Sequence, residues 1–86
     1  MLYTQKSSKD KAVLQIEFDP VEIGDGSYGT AVGIAQFLLL MLGYDCEVDN
    51  EFGPETMQAV TDYQAEHNLS IDGIIGGETW KSLLGD

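Results

Sequence analysis

Eighty-six residues suffice for one domain, near the lower limit at which a chain buries a self-sufficient core. Fifteen Asp and Glu face four Lys and no Arg, for a formal net charge of −11; such a surface repels nucleic acid and anionic membranes and has no patch for neutralising phosphates. One cysteine excludes an internal disulfide and a multi-cysteine zinc site, and a 43% apolar fraction separates the chain from a disordered acidic tail.

Lys6, Lys9 and Lys11 lie in the first eleven residues, a polar stretch expected to be frayed. From Ala12 onward only Lys81 opposes fourteen carboxylates. The start lacks the apolar run of a secretory signal, so the product is expected to be cytoplasmic as synthesised; action outside the cell would need release by another route, or a longer protein of which this is one piece. Over residues 13–18, Leu14, Ile16 and Phe18 alternate with Gln15 and Glu17, the pattern of a short half-buried strand. Asp19-Pro20 ends it, and Ile23-Gly-Asp-Gly-Ser-Tyr-Gly reads as a flexible linker. The expected division is an arm and linker over 1–29 and a helical domain over 30–86.

Thr30 is the expected N-cap of a first helix over Ala31–Leu42, closed by a left-handed Gly43. This helix is apolar almost all round, too short to cross a bilayer, and interrupted mainly by Gln36. It therefore needs cover on a second side, from the Leu14/Ile16/Phe18 segment or from a protein partner, including a second copy in a homodimer. A second helix starts at Gly53-Pro54, where a missing N–H costs nothing. Thr56, Ala59, Val60 and Tyr63 form its buried stripe, and Asn68 is suited to close it. A short third helix is expected over 78–84, ended by Gly85.

A motif occurs twice. Residues 48–60, VDNEFGPETMQAV, align without gaps on residues 71–83, IDGIIGGETWKSL. Asp49 pairs with Asp72, Gly53 with Gly76, Glu55 with Glu78 and Thr56 with Thr79. Each copy is an Asp-led turn that delivers the chain into a helix, because the carboxylate can accept backbone N–H groups two residues on.

The spacing Val32-x-x-Ala35-Gln36-x-x-Leu39-x-x-Leu42-Gly43-Tyr44, followed by Asp49 to Gln64 and Leu69 to Trp80 in the pattern above, resembles the peptidoglycan-binding domain family of bacterial and phage cell-wall hydrolases. The resemblance covers 32–84. It implies an all-α, three-helix bundle with a pseudo-two-fold loop–helix repeat, here carrying an N-terminal extended arm. It also implies a non-catalytic module that grips the glycan or stem peptide of peptidoglycan beside a cell-wall hydrolase, with no cofactor. Asn50 stands where the first loop of the family has Gly, Asn68 where Gly precedes Leu69, Ala35 where Leu is preferred and Gly77 where Pro is common. Asn50 bears on the shape of the first loop, although Asn tolerates positive φ.

The candidate ligand contacts are Tyr44, Asp49, Asn50, Phe52, Tyr63, Asp72, Gly73 and Trp80, arranged about a groove between the Asp49 and Asp72 loops. Each has a structural alternative. Asp49 and Asp72 serve equally as turn acceptors, and Phe52 and Trp80 stand at core offsets. Tyr44 and Tyr63 are placed to offer hydroxyls at the groove rim. Gln36 and Gln64, on apolar faces, should bond loop backbone. His67 has no second ligand at zinc spacing, and the acids of residues 45–51 start like a calcium loop but lack its Gly and its closing Glu. Cys46, between Asp45 and Glu47, should hold its proton tightly, which opposes a catalytic thiolate. No nucleophile–base pair supports an enzyme. The alternative function is a protein–protein interaction module, intracellular or of a phage, using the same fold.

Overall fold

The computed structural model describes residues 3–6, 15–18 and 20–85, with side chains described from residue 20 onward. Two strands, β1 (Tyr3–Lys6) and β2 (Gln15–Phe18), pair antiparallel with Tyr3 opposite Phe18 and Lys6 opposite Gln15. The alternation thus yields a strand at Gln15–Phe18, and residues 13 and 14 lie outside the described residues. The expectation of a frayed start fails at residues 3–6, whose backbone is paired with β2; for residues 1–2 and 7–11 it lies outside the described residues. Three helices follow: α1 (Thr30–Met41), α2 (Pro54–Glu66) and α3 (Gly77–Leu83). From residue 20 onward the architecture is all-α, as the resemblance implies.

Helix α1 is capped one residue earlier than expected. Gly29, at φ 118°, is the N-cap, and its carbonyl accepts the N–H of Gly33 at 3.2 Å. Thr30 is therefore the first helical residue and makes no capping bond. The end of α1 is a Schellman closure: Gly43 N–H donates to Leu40 O at 3.0 Å and Tyr44 N–H to Leu39 O at 2.9 Å. The same 6→1 bond closes α2, from Leu69 N–H to Gln64 O at 2.9 Å, with Asn68 left-handed at φ 58°.

α1 packs on both α2 and α3. Val32, Ala35 and Leu39 enter the core from α1, Ala59, Val60 and Tyr63 from α2, and Trp80 and Leu83 from α3. Phe52 and Ile75, which occupy the same position of the two repeats, fill it from the loops. On the opposite face of α1, Phe37, Leu40 and Met41 are 49%, 46% and 68% exposed. The cover expected from Leu14, Ile16 and Phe18 depends on side chains outside the described residues. Among the described residues, no helix is long and apolar enough to cross a membrane.

Residues 20–29 are not the free linker their glycines suggest. Ile23 exchanges both backbone bonds with Ile75, at 3.1 and 2.8 Å, and is buried. Three residues on, Gly26 N–H donates to Phe52 O at 3.0 Å, Phe52 N–H to Ser27 O at 2.9 Å, and Gly29 N–H to Asn50 O at 2.9 Å. The strip therefore pairs with both loops at their matching Phe52 and Ile75 positions. The buried Trp80 fixes its start through an indole N–H donated to Val21 O at 2.8 Å. Because backbone groups so bonded cannot leave without losing their partners, the strip belongs to the folded body.

Candidate functional site

Both loops hang from a buried glutamine of the preceding helix. Gln36 Nε2 donates to Asp49 Oδ1 and Glu51 O, each at 3.0 Å, and lies 2.9 Å from Thr56 Oγ1. Its Oε1 accepts the N–H groups of Asp49 and Asn50 at 3.0 and 2.9 Å. Gln64 repeats the arrangement. Its Nε2 meets Asp72 Oδ1 at 3.0 Å, Ile74 O at 2.9 Å and Thr79 Oγ1 at 3.2 Å, and its Oε1 accepts Gly73 N–H at 3.0 Å. Gln36, Gln64, Thr56 and Thr79 are all buried. An amide suits this place because it offers donor and acceptor side by side without a charge to desolvate.

Asp49 and Asp72 complete the frames as turn acceptors. Their Oδ1 atoms take the N–H of Glu51 at 3.0 Å and of Ile74 at 2.9 Å, two residues on in each case. Both carboxyls are held below the usual range. For Asp49 the main cause is the Gln36 amide, and for Asp72 it is the Ile74 N–H.

Asn50 and Gly73 correspond in the repeat, and both are left-handed, at φ 65° and 73°. The loop therefore keeps one shape despite the asparagine. Size is balanced against the helix beneath: a Cβ on Gly33 would lie 1.9 Å from Asn50 Oδ1, whereas a Cβ on Gly73 would lie 2.4 Å from Met57 Sδ. In each copy one partner gives up its side chain so that the loop can lie on the helix.

The groove expected between the loops is occupied by the strip, which leaves a shallow hollow at either end. The first, of about 510 Å³, is bordered by Ser27, Tyr28, Asp49, Asn50 and Glu51. The second, of about 470 Å³, is bordered by Glu22, Asp25, Met57, Asp72, Gly73 and Ile74. The candidate contacts separate accordingly. Asp49 and Asn50 border the first hollow and Asp72 and Gly73 the second. Phe52 touches the first but is only 2% exposed, so its ring is a core group.

Tyr44, Tyr63 and Trp80 border neither hollow. Tyr63 is buried and shares a 2.6 Å hydrogen bond with Ser82 Oγ. His67 stacks on its ring at 3.9 Å. Tyr44 sets its ring edge-on to Tyr63 and donates to Glu66 Oε1 at 2.5 Å, which with burial pushes its phenol up to about 12. The rings of Phe52, Tyr63 and Trp80 therefore have no face to offer a ligand, because the small core needs their area more than the surface does. Tyr28 escaped notice in the sequence. It is 83% exposed at the edge of the first hollow, and the signal for it was a lone aromatic in a glycine run with no partner at core spacing.

Cys46 is buried, with Sγ 3.6 Å from Gln36 O. Burial pushes its thiol up, and Glu55, Asp45 and Asp49 add to this. Among the described residues, no group of three or more His, Cys, Asp or Glu side chains is placed to hold a metal ion.

Three helices, two loops hung from buried glutamines and a strip bridging those loops define a small, doubled-loop helical module. The family model described as "Putative peptidoglycan binding domain" matches residues 28–83, and the chain belongs to this family. It is 43% identical over 63 residues to the N-acetylmuramoyl-L-alanine amidase CwlM of Mycobacterium tuberculosis, a match spanning 72% of this chain and 16% of that protein. Among solved structures it is similar to a peptidoglycan-binding protein from Clostridioides difficile in complex with glutamine hydroxamate, with TM-score 0.77 and 36% identity over 83% of this chain and 48% of that one. It is also similar to the SleB N-terminal domain, with TM-score 0.74 and 32% identity over 78% of this chain and 93% of that one. The chain thus spans about one sixth of the amidase and about half of the first structure.

Proposed function

We propose that this chain is a non-catalytic module that binds bacterial cell-wall peptidoglycan on the face made by the strip and the two loops. The observation that carries this reading is the family match over 28–83, which spans both glutamine-hung loops. The hydrogen-bonded frames hold the hollows preformed, so a ligand need not bear the cost of ordering them. Tyr28 supplies an exposed ring for a sugar face, and Asp49, Asn50 and Glu51 supply polar edges.

Binding without cutting agrees with the engagement of the reactive groups. Cys46 is buried with a raised thiol, and His67 is stacked on Tyr63 with Nδ1 2.9 Å from Tyr63 O. The working partner is a cell-wall hydrolase, and the place of action is the wall. With a charge of −11 the module favours the neutral glycan and peptide parts and avoids wall rich in teichoic acid. The functional unit includes the strip from about residue 20 together with the helices.

Co-sedimentation with purified, teichoic-acid-stripped peptidoglycan tests this. The protein should pellet at low and moderate salt; a protein that stays in the supernatant under both conditions contradicts the reading. The open apolar face of α1, at Phe37, Leu40 and Met41, favours a second and separate contact, with a protein partner or a second copy. Light scattering tests the homodimer, and a monomer at all concentrations removes it.

A further inference from the structure

The two hollows stand on matching positions of the repeat. Asp49, Asn50 and Glu51 border the first, and Asp72, Gly73 and Ile74, each twenty-three residues later, border the second. Their volumes are close, about 510 and 470 Å³. The framework beneath is the same glutamine–aspartate–threonine set. Two surfaces of one build and one size on one face suit a ligand that presents two features a short distance apart.

Their linings are about equally apolar but present different side chains. The first hollow has the exposed ring of Tyr28 and the exposed carboxylate of Glu51. At the position of Glu51 the second hollow has Ile74, 37% exposed. A side chain on Gly73 would run into the Met57 thioether at 2.4 Å, so the glycine leaves room for Met57, which is half-buried and lines the hollow together with Ile74. The second hollow therefore offers aliphatic and thioether surface with no aromatic ring, a lining for alkyl groups rather than for a sugar face. Glu22, Asp25 and Asp72 at its border repel a carboxylate, so the group that enters is alkyl and not acidic.

We propose that the second hollow is a distinct subsite that takes an aliphatic side chain of the stem peptide while the first takes a sugar ring. The module then reads the junction at which a peptide leaves the glycan. This rests on the wall-binding reading above and adds to it which chemical part of the polymer each loop receives.

Calorimetric titration of the full chain tests this with three probes: a peptide-free glycan oligosaccharide, the free stem peptide, and the intact glycopeptide unit. The intact unit should bind at least about tenfold more tightly than either part, because the second contact becomes intramolecular. Ile74→Ser should weaken binding of the peptide and of the intact unit by about five- to tenfold, with glycan affinity retained. Tyr28→Ala should weaken glycan and intact unit by a similar factor, with peptide affinity retained. Both side chains are exposed, and circular dichroism confirms that each variant folds. Peptide that fails to bind wild type while glycan binds overturns the proposal and leaves the wall-binding reading standing. Two variants that weaken the same single probe also overturn it. Failure of all three probes removes both readings.

Discussion

Replacing Gln36 by leucine keeps the volume and removes five hydrogen bonds at once, to Asp49 Oδ1, Glu51 O, Thr56 Oγ1 and the N–H groups of Asp49 and Asn50. The Thr56 hydroxyl is buried and loses this partner outright, at a cost of about 1–3 kcal/mol. The loop groups lie nearer solvent and recover part of theirs from water, leaving about 0.5 kcal/mol each. The predicted total is roughly 3–5 kcal/mol, against roughly 5–10 kcal/mol for a whole domain of this size. Urea unfolding followed through the fluorescence of Trp80 measures this. Gln64→Leu should cost slightly less, since it removes four bonds. Gln58→Leu, which removes only a surface bond to Asp62, should change stability by less than about 0.5 kcal/mol. A Gln36→Leu cost below about 1 kcal/mol would show that the loops are held by other means and would refute the reasoning.

Four further outcomes are expected. Asp49 and Asp72 have depressed pKa values in the folded state, so their stabilisation is present above the unfolded value near 4 and disappears as pH falls through the folded one. The Asp49→Asn/Asp72→Asn double variant should lose less stability than wild type in acid melts below about pH 4. Gly73→Ala should destabilise by about 1–3 kcal/mol in chemical denaturation, because it strains a left-handed residue and meets Met57, whereas Asn50→Gly should cost little. The thiol of Cys46 should react with a disulfide reagent only as the protein unfolds, and fast labelling of the native protein would contradict its burial. In an ultraviolet titration one tyrosine should ionise near 12, and Glu66→Gln should return it towards the ordinary value.

The parts of this fold written in local pattern were readable. Pro54, the Thr56-Ala59-Val60-Tyr63 stripe, the left-handed Gly43 and Asn68 and the Asp-led turns each act within a few residues of themselves. Gln36 and Gln64 could be expected to bond loop backbone because a polar amide on an apolar face must find partners. The strip could not be read in this way. Its bonds run from Ile23 to Ile75 and from Gly26 to Phe52, far along the chain, and a glycine-rich run looks the same whether it is free or pinned. The aromatics were ambiguous for a related reason: Phe52, Tyr63 and Trp80 have the same spacing whether they serve core or ligand. Only the assembled core shows that it takes all three, leaving Tyr28 as the ring at the first hollow.

The central claim is that the strip and its two loops, rather than the apolar back of α1, receive the wall polymer. Amide chemical shifts of the labelled chain, followed during titration with soluble peptidoglycan fragments, test this most directly. The account predicts shifts gathered at residues 22–29, 49–53 and 72–76, with Phe37, Leu40 and Met41 unmoved. Shifts gathered on the outer face of α1 while both loops stay still would contradict it.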